Sequence, residues 1–583
     1  MDFYERGLYN QILASQEPLQ GMMTYFVSLQ PGHFKTYSTT TNSFWCCEGT
    51  GVENHSKYGD TIYFHDTNSL YLNLFIPSQL TWPDKGLTVV QNTTFPQSDT
   101  TTLTFQCTNG TPLTLKIRYP SWARSGMLLS VNGVAQTVTN SPGSYVSLAR
   151  NWQSNDQVQI RLPMTLRTET LQDTSNSVAL FYGPILLAGA LGTNGMPASD
   201  FAAGQLDLLG VADPLVPLMV GDTNSLLTNL VPVSGQPLTF KTQGAGQPRD
   251  VTLIPFYQLQ HQRYSVYWNV MSPADWEQFA NSNAVAEAQI VDQVAIGDSN
   301  SEAAHNLSAN NSATGNFSGR NWRDANENLS ATGWFSYSMA VLPSTSMTLA
   351  CTYWGSDSGN RLFDILVNGT IVGTQALTND DSGLFFTMYY PIPTNLVGSA
   401  TNVTVMFNAH AGNIAGGVFG LQTMTSANPG AFLGVQMNLS PNQAYGSSVQ
   451  AFNVSDYFQN LTNHSVMVSP WLSVSSSNTN VLTVGPNNQL IITGIGTCTI
   501  TASYLGYAVS EAISVEPARL GIALNQSNAV VSWPSNTATL QSAFSLNGSN
   551  NWSPVVNQIT STAGTNSVLI PITNSVRYFR LLY

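Results

Sequence analysis

The sequence predicts a mainly β, multidomain chain of β-sandwich or jelly-roll units behind a short helical segment. From Thr61 to the C-terminus, apolar and polar residues alternate in short runs rich in Tyr, Ile, Val and Phe, as they do in strands. Charged residues make up only 9% of the chain, and uncharged polar residues replace them, which suits extended sheets with wet surfaces. A chain of 583 residues has room for about four to six domains.

The helical signal comes first in the chain. In MDFYERGLYNQILAS, Phe3, Leu8 and Ile12 fall near helical spacing. A second helix is predicted in EGTGVENHSKYG, with Gly59 as its C-terminal stop. We expect residues 1 to about 58 to be the only strongly helical part.

The β-rich remainder divides where the strand pattern breaks or a small-residue linker such as SANPGAF intervenes. Hairpin turns are predicted at Asn132-Gly133 and Asn368-Gly369, because Asn-Gly pairs fit the tight turns that join adjacent strands. The predicted domains are a helical segment at 1–60, a middle β-sandwich at 61–192, an irregular β-rich region at 193–275, a jelly-roll-like domain at 287–425, a compact β unit at 430–517 and a small β module at 518–583.

Charge and hydropathy exclude several classes of partner. The net charge is −13 and the sequence has no basic cluster, which argues against nucleic acid and anionic lipid. No apolar run reaches the roughly 18 residues that a membrane span requires. The composition favours an extracellular or periplasmic protein that meets neutral polysaccharides, although the N-terminus lacks the pattern of a secretory signal.

Two adjacent cysteines, Cys46 and Cys47, stand in SFWCCEGTGVENHSKYGD and raise several alternatives. The alternatives are two buried thiols, a strained vicinal disulfide, or a functional pair. A redox motif is disfavoured, because its two cysteines would have two residues between them. Their place just before a predicted helix start favours thiolate, because helix N-termini stabilise anions. Zinc would need about four ligands, and this segment adds only weaker candidates, namely His33, Glu48, Glu53 and His55.

The same residues carry a family resemblance. YERGLYNQILASQ and MMTYFVSLQPGHFKTYSTTTNSFWCCEGTGVENHSKYGDTIYFH resemble the β-L-arabinofuranosidase group of glycoside hydrolases, families 127 and 146. IRYPSWA and FYGPILLAG look like the middle β-domain of that group, and DVTLIPFYQLQHQRYSVYW like the region after it. YWGSDSGNRLFDILVNG looks like its β-domain linked to carbohydrate and substrate binding. The resemblance covers residues 1 to about 425.

The resemblance implies a retaining glycosidase with a cysteine nucleophile and zinc. Cys46 matches the nucleophile, and Cys46 and Cys47 match zinc ligands. Glu5 and Tyr25 match positions that contact the sugar. From the residues alone, Glu5 would be an exposed helix carboxylate and Tyr25 a core residue.

The chain also departs from the family pattern. The family's catalytic domain is an (α/α)6 barrel, which needs at least about 200 residues, whereas about 60 precede the β region here. The general acid/base glutamate and the remaining zinc ligands of the family have no matching position. We therefore expect the C-terminal part of a longer enzyme, whose export signal lies further upstream. In this chain we expect little activity and exposed apolar faces around Phe3, Leu8 and Ile12.

The C-terminal segments suggest a second class of function. SSNTNVLTVGPNNQLIITGIGTCTITASY resembles the bacterial immunoglobulin-like group 2 domain, which implies a spacer or adhesion module. In the last module, Trp533 and Trp552 fit a small buried core better than a sugar platform. Trp354 and Asp357 likewise fit a structural turn better than a sugar- or calcium-binding loop. The alternative to a glycosidase is thus a non-catalytic carbohydrate-binding or adhesion protein.

Overall fold

In the computed structural model the chain is mainly β, as the alternation of residues predicts. The structure describes residues 1–25, 27–43, 46–174, 176–202, 214–317, 319–326, 332–379, 383–449, 451–461, 463–534, 538–546, 551–562, 565–573 and 575–582. The α-helices are α1 (Asp2–Gly7), α2 (Cys46–His55), α3 (Thr223–Thr228), α4 (Pro273–Ala288), α5 (Ser299–Ala304) and α6 (Thr394–Val397). Single helical turns lie at Leu8–Ile12, Leu13–Ser15, Pro83–Lys85, Phe256–Gln258 and Pro486–Asn488.

The strands after α2 form a sandwich of two sheets. One sheet has the order Ser144–Trp152, Thr111–Tyr119, Ser69–Leu72, Tyr63–His65. The other has the order Ser78–Trp82, Leu87–Thr93, Thr100–Cys107, Gln157–Arg161, Leu128–Val131, Val134–Gln136. Residues from both sheets share one buried core, which includes Leu72 and Leu115 from the first and Phe105 from the second. The predicted turn at Asn132-Gly133 is confirmed, since Val131 pairs with Val134 and both turn residues have positive φ.

A large mixed sheet follows and anchors the segment that leads to α2. Its order is Leu230–Pro232, Phe240–Thr242, Thr252–Pro255, Ile185–Gly192, Ser177–Tyr182, Tyr267–Met271, Leu218–Val220, Gly246–Gln247, with Leu166–Thr170 beside Ser177–Tyr182 and Arg263–Ser265 beside Ile185–Gly192. Tyr37–Ser38 pairs in parallel with Phe201–Ala202. Gly32 and Tyr264 join the N-terminal segment to this sheet through backbone hydrogen bonds, because Gly32 donates to the Tyr264 carbonyl and Tyr264 donates to that of His33.

Residues 290–425 form a second sandwich. Its first sheet, called here the outer sheet, has the order Ile290–Val294, Gly420–Thr425, Met347–Trp354, Phe385–Ile392. The facing sheet has the order Ser308–Asn310, Trp334–Ala340, Asn402–Ala409, Leu362–Val367, Thr370–Ala376. Ser312–Phe317, Arg320–Asn326 and Ile414–Val418 form a smaller sheet. The predicted hairpin at Asn368-Gly369 is confirmed by the pairing of Val367 with Thr370.

Two small β units complete the chain. The first, called here the 432–516 unit, has sheets Phe432–Asn438, Asn453–Phe458, His464–Ser465; Asn442–Ala444, Tyr507–Glu516, Gly496–Tyr504, Leu472–Ser476; and Leu482–Val484, Leu490–Ile492. The second has sheets Gly521–Asn525, Asn528–Pro534, Thr565–Pro571, Ile559–Thr562; and Ser553–Pro554, Thr539–Ala543, Tyr578–Leu582. Trp533 is buried in the core of the second unit, as predicted, whereas Trp552 is half-buried beneath Arg580.

The helices correct two of the predictions. α2 ends at His55, so Gly59 is not its C-terminal stop and lies in the turn that follows. The expectation that helix is confined to residues 1–58 is wrong, because α4 spans 16 residues. Ser272 caps its first turn by accepting a hydrogen bond from the Asp275 backbone N–H, and Pro273 occupies the first helical position. No described helix combines the length and the apolar composition that crossing a membrane would need.

The apolar faces of the N-terminal helical run are only partly exposed. Phe3 is 90% exposed, as predicted. Leu8 is only 4% exposed, contrary to the prediction, because it packs against Ile62 and Leu74 of the middle sandwich. Ile12 is half-buried. The sandwich therefore covers one side of the helical run, which the sequence did not reveal because those contacts join residues more than 50 positions apart.

Candidate active site

Cys46 is the first residue of α2, and its side chain is exposed to solvent. Cys46 thus lies at the end of the helix where the backbone N–H groups have no partner within the helix. α2 lies against the Leu8–Ile12 turn. It also approaches Met23 so closely that a Cβ on Gly51 would lie 2.6 Å from the Met23 methyl group. Gly51 thus permits the approach that sets where Cys46 emerges.

The zinc prediction concerns the donors around Cys46. Cys47 lies in α2, but its side chain falls outside the part of the chain that the structure describes, as do Phe44 and Trp45. Among the described residues, no group of three or more His, Cys, Asp or Glu side chains is placed to hold a metal ion. The described donors therefore do not complete a zinc site, and zinc stays an expectation from the resemblance.

The weaker zinc candidates have other surroundings. His33 Nδ1 lies 2.7 Å from Ser28 Oγ, and Glu53 is exposed. His55 Nδ1 donates to the Gly51 carbonyl at 2.7 Å, while His55 Nε2 and Glu48 Oε1 are buried without a hydrogen-bond partner. Glu48 and His55 are two helical turns apart, about 10 Å along the axis.

Glu5 is buried at the junction of α1 with the middle sandwich, and it is not the exposed carboxylate that the residues alone predict. Arg118 donates to both of its oxygens, at 2.6 Å to Oε2 and 3.2 Å to Oε1. Trp122 Nε1 also donates to Oε2, at 2.8 Å. These three hydrogen bonds compensate the burial of both charges. The predicted contact of Glu5 with sugar stays a prediction, since the carboxylate is already occupied by protein donors.

Asp2 extends this ion pair to the surface. Arg118 donates to Asp2 Oδ1 at 2.9 Å, and the Ser121 backbone donates to Oδ2 at 3.3 Å. Burial acts to raise the pKa of Asp2, but hydrogen bonds from Ser121 and the charge of Arg118 leave it below its ordinary value. A cleft of about 230 Å³ opens beside the cluster, lined by Asp2, Phe3, Glu5, Arg6, Ser121, Trp122, Arg124, Arg167, Glu169 and Pro184.

The structure does not bring the predicted site residues into one cleft. Neither Cys46 nor Tyr25 lines the cleft that Glu5 borders. Tyr25 is half-buried and follows two short backbone bridges, from Met23 to Gln16 and from Thr24 to Tyr37. Tyr25 therefore belongs to the segment held by the large mixed sheet, whereas Glu5 belongs to the α1 junction.

Sequence reasoning missed the partners that hold these segments. Arg118 and Trp122 lie in IRYPSWA, a segment that the sequence singles out only by its resemblance to the middle β-domain of the family. Lys35 is fully buried, and its Nζ donates to the Phe256 carbonyl at 3.0 Å. Burial lowers the pKa of Lys35 to about 7. His261 Nδ1 lies 2.9 Å from Asp200, which ties the large mixed sheet to the strand beside Tyr37.

Family models match four segments of the chain. Residues 1–60 match the model described as the β-L-arabinofuranosidase GH127 catalytic domain, and residues 69–164 match the GH127 middle domain. Residues 167–270 match a domain of unknown function, and residues 286–424 match a family of unknown function. No curated protein matches the chain.

Parts of the chain also resemble solved structures. A GH127 β-L-arabinofuranosidase from Geobacillus stearothermophilus T6 is 18% identical, with 46% of each chain covered and a TM-score of 0.35. The GH127 β-arabinofuranosidase BT3674 is 20% identical over 47% of this chain and 46% of its own, with a TM-score of 0.35. A family 35 carbohydrate-binding module from Clostridium thermocellum is 17% identical over 21% of this chain and 92% of its own, with a TM-score of 0.16. The chain thus spans less than half the length of either arabinofuranosidase.

The mainly β chain thus contains two segments that resemble glycoside hydrolase domains. Both segments, residues 1–60 and 69–164, match models of glycoside hydrolase family 127, the β-L-arabinofuranosidases. The resemblance to family 127 predicted from the cysteine segment is confirmed. The likeness to family 146 and to a bacterial immunoglobulin-like domain stays a prediction.

Proposed function

We propose that this protein acts on terminal β-L-arabinofuranosyl groups of glycans outside the cytoplasm, with Cys46 as the nucleophile. The observation that carries the proposal is the position of Cys46, which is exposed at the first residue of α2 within the segment that matches the GH127 catalytic domain. A nucleophile must reach the anomeric carbon, and the exposure of Cys46 leaves its sulfur accessible to a sugar. The low content of charged residues supports an extracellular or periplasmic place.

The proposed reaction has two displacements at the anomeric carbon. The Cys46 thiolate forms a carbon–sulfur bond while the carbon–oxygen bond to the aglycone breaks, and the departing oxygen takes a proton from a general acid. Water then attacks the same carbon, the carbon–sulfur bond breaks, the thiolate is restored, and a proton from the water passes to a base. Each displacement inverts the configuration of the anomeric carbon, so the product retains the configuration of the substrate.

We expect slow turnover of natural glycosides by this chain. Cys46 faces solvent, whereas displacement of an alkoxide requires an acid held against the departing oxygen. Glu5 does not supply that proton, because Arg118 and Trp122 occupy its carboxylate. An aryl aglycone that is stable as an anion needs no protonation, so it isolates the step that Cys46 performs.

The test uses dinitrophenyl β-L-arabinofuranoside and the intact mass of the full chain. We expect the mass to rise by one arabinosyl residue, and peptide mapping to place the adduct on Cys46. Cys46→Ala removes the adduct, whereas Cys107→Ala, which alters a partly exposed cysteine of the middle sandwich, keeps it. An adduct that persists in Cys46→Ala, or no adduct in the unmodified chain, would refute the nucleophile.

Zinc at Cys46 and Cys47 is a separate proposal. It predicts about one zinc per chain by elemental analysis and loss of that zinc in Cys47→Ser. Metal content unchanged by the Cys47→Ser substitution would overturn it.

The second candidate function is non-catalytic glycan binding. A groove on the second sandwich favours it, because amides and a hydroxyl dominate its polar lining, as argued below. Binding of polysaccharide without a covalent adduct on Cys46 would support this candidate over the hydrolase.

A further inference from the structure

The outer sheet of the second sandwich has a hollow on the face that points away from the core. On the strand Met347–Trp354, the side chains of Leu349, Cys351 and Tyr353 point inward and are buried. Ala350 and Thr352 therefore point outward, because side chains alternate along a strand. Together with Gly420 and Gln422 of the neighbouring strand they form the floor of a groove of about 320 Å³.

Small residues keep this floor open. Gly420 is paired with Thr352, and a Cβ added to Gly420 would lie 3.0 Å from Thr352 Oγ1. Ala350 adds only a methyl group between the flanking strands. Gly319, Arg320 and Asn321 also line the groove. The groove volume lies at the lower end of the range of about 300–1,000 Å³ that is typical of small-ligand sites.

One end of the groove carries a cluster of aromatic rings. The Phe385 ring lies 4.8 Å from that of Trp354 and 4.9 Å from that of Phe419, which itself lines the groove. The Arg320 guanidinium covers Phe385 at 4.4 Å, and Phe317 packs on Trp354 at 5.1 Å. Phe317 is 38% exposed, so the cluster presents ring surface to solvent as well as to the core. Of these rings Phe419 lines the groove, so it is the one that offers apolar surface for a sugar ring to stack on.

The polar lining is almost uncharged. Among the described residues that line the groove, Arg320 is the one that carries a charge. Amides and a hydroxyl come from Gln293, Asn321, Thr352 and Gln422. Gln422 Nε2 donates to Gln293 Oε1 at 2.8 Å. This bond orients both amides and directs the Gln422 oxygen and the Gln293 nitrogen away from each other. Amides and hydroxyls both donate and accept, as sugar hydroxyls do. A nucleic acid or anionic lipid would need several cations here.

We propose that this groove binds a neutral oligosaccharide, with a sugar ring on the aromatic end and hydroxyls on the amide floor. The site lies in residues 286–424 and no residue of α2 lines it, so the proposal holds whether or not Cys46 catalyses hydrolysis. Its role is to hold the chain on a polysaccharide.

The test is affinity electrophoresis of the full chain in gels that contain arabinan, arabinogalactan or arabinoxylan. We expect at least one of them to retard the unmodified protein. Thr352→Lys fills the floor and Gln422→Ala removes an amide from a surface position, and each should weaken binding by about tenfold or more, the equivalent of one lost hydrogen bond. Thr404→Lys is the matched control, because Thr404 is exposed on the facing sheet.

Circular dichroism of each variant shows whether it is folded, and Gln422→Ala decides the result if Thr352→Lys is not. Retardation that is equal in Thr404→Lys, Thr352→Lys and Gln422→Ala would overturn the proposal, and so would the absence of retardation by all three polysaccharides. If no adduct forms on Cys46 while a polysaccharide still retards the chain, the proposed nucleophile is refuted and the proposed oligosaccharide groove is not.

Discussion

Glu5 shows how one buried carboxylate can tie a helical segment to a β-sandwich. Its side chain is 2% exposed and that of Arg118 is 3% exposed, so neither charge is compensated by water. The pair joins residues 113 positions apart in the chain. Its function at this place is to hold α1 against the middle sandwich, and this fixes the start of the helical run on which α2 packs.

Replacing Glu5 by Gln should loosen this junction. The substitution leaves Arg118 buried with only Asp2 as a counter-charge, and breaking a buried pair costs roughly 3 kcal/mol. Hydrogen exchange of residues 2–15 and 118–122, followed by mass spectrometry, should then be more than about 100-fold faster.

Arg6→Ala is the control for this change, because it removes an exposed ion pair with Glu169 that is worth less than about 1 kcal/mol. If exchange in Glu5→Gln is no faster than in Arg6→Ala, Glu5 does not hold the junction, and its predicted contact with sugar becomes the better account.

Residue-scale predictions from sequence succeeded where the signal was local. The place of Cys46 at a helix start could be predicted from the residues that follow it, since a helix start is set within a few positions. The burial of Glu5 could not, because Arg118 and Trp122 lie on a strand and turn more than 110 residues away. The role of Cys47 stays a prediction.

At the scale of elements, α4 is the part of the fold that sequence reasoning missed. The Ser-Pro-Ala-Asp start carries a cap signal, and Trp276, Ala280, Ala284 and Ala288 recur every four residues. Apart from Trp276 this stripe consists of alanines, whose hydropathy differs little from that of the polar residues around them. It is buried against the 432–516 unit, where Trp471 lies 5.2 Å from Phe279.

Glu287 makes the packing of α4 against the 432–516 unit depend on pH. Its oxygens accept from Ser469 and Tyr504, both at 3.0 Å, across the interface. Burial raises the pKa of Glu287 above its ordinary value, and the nearby Asp456 adds to the shift, against the effect of the two hydrogen bonds. A raised pKa in the folded state means that the stabilisation is fully present below about 4.5 and is lost as pH rises through the folded-state value.

We expect Glu287→Gln to remove that loss, because the amide does not ionise and still bonds both hydroxyls, its oxygen accepting from one and its nitrogen donating to the other. Thermal unfolding should show similar midpoints for the variant and the unmodified chain at pH 4, and a higher midpoint for the variant at pH 7. Glu277→Gln on the exposed side of the same helix should follow the unmodified chain at both pH values. If the difference in unfolding midpoint between Glu287→Gln and the unmodified chain does not change with pH, Glu287 is not ionised in the interface.

At the scale of the whole molecule, period two in the sequence predicts strands well, because side-chain alternation is a local property. It does not predict the order of strands in a sheet. In the large mixed sheet, Leu218–Val220 pairs in parallel with Tyr267–Met271, about 50 residues later. Nor does it predict which units touch, since α4 meets Tyr504 more than 200 residues further along. These contacts depend on shape and burial of distant surfaces.

The interface between α4 and the 432–516 unit yields the last prediction. Ala284 is fully buried there, so Ala284→Leu forces extra volume into a packed contact and costs about 1–3 kcal/mol. Since residues 426–428 of the connecting segment are exposed, release of the unit should speed protease cleavage there and hydrogen exchange of α4. Ser282→Leu adds a larger side chain to the exposed side of the same helix and should change neither rate. Equal rates in the two variants would show that α4 does not fix this unit in place, and that the C-terminal units move independently of the sandwiches before them.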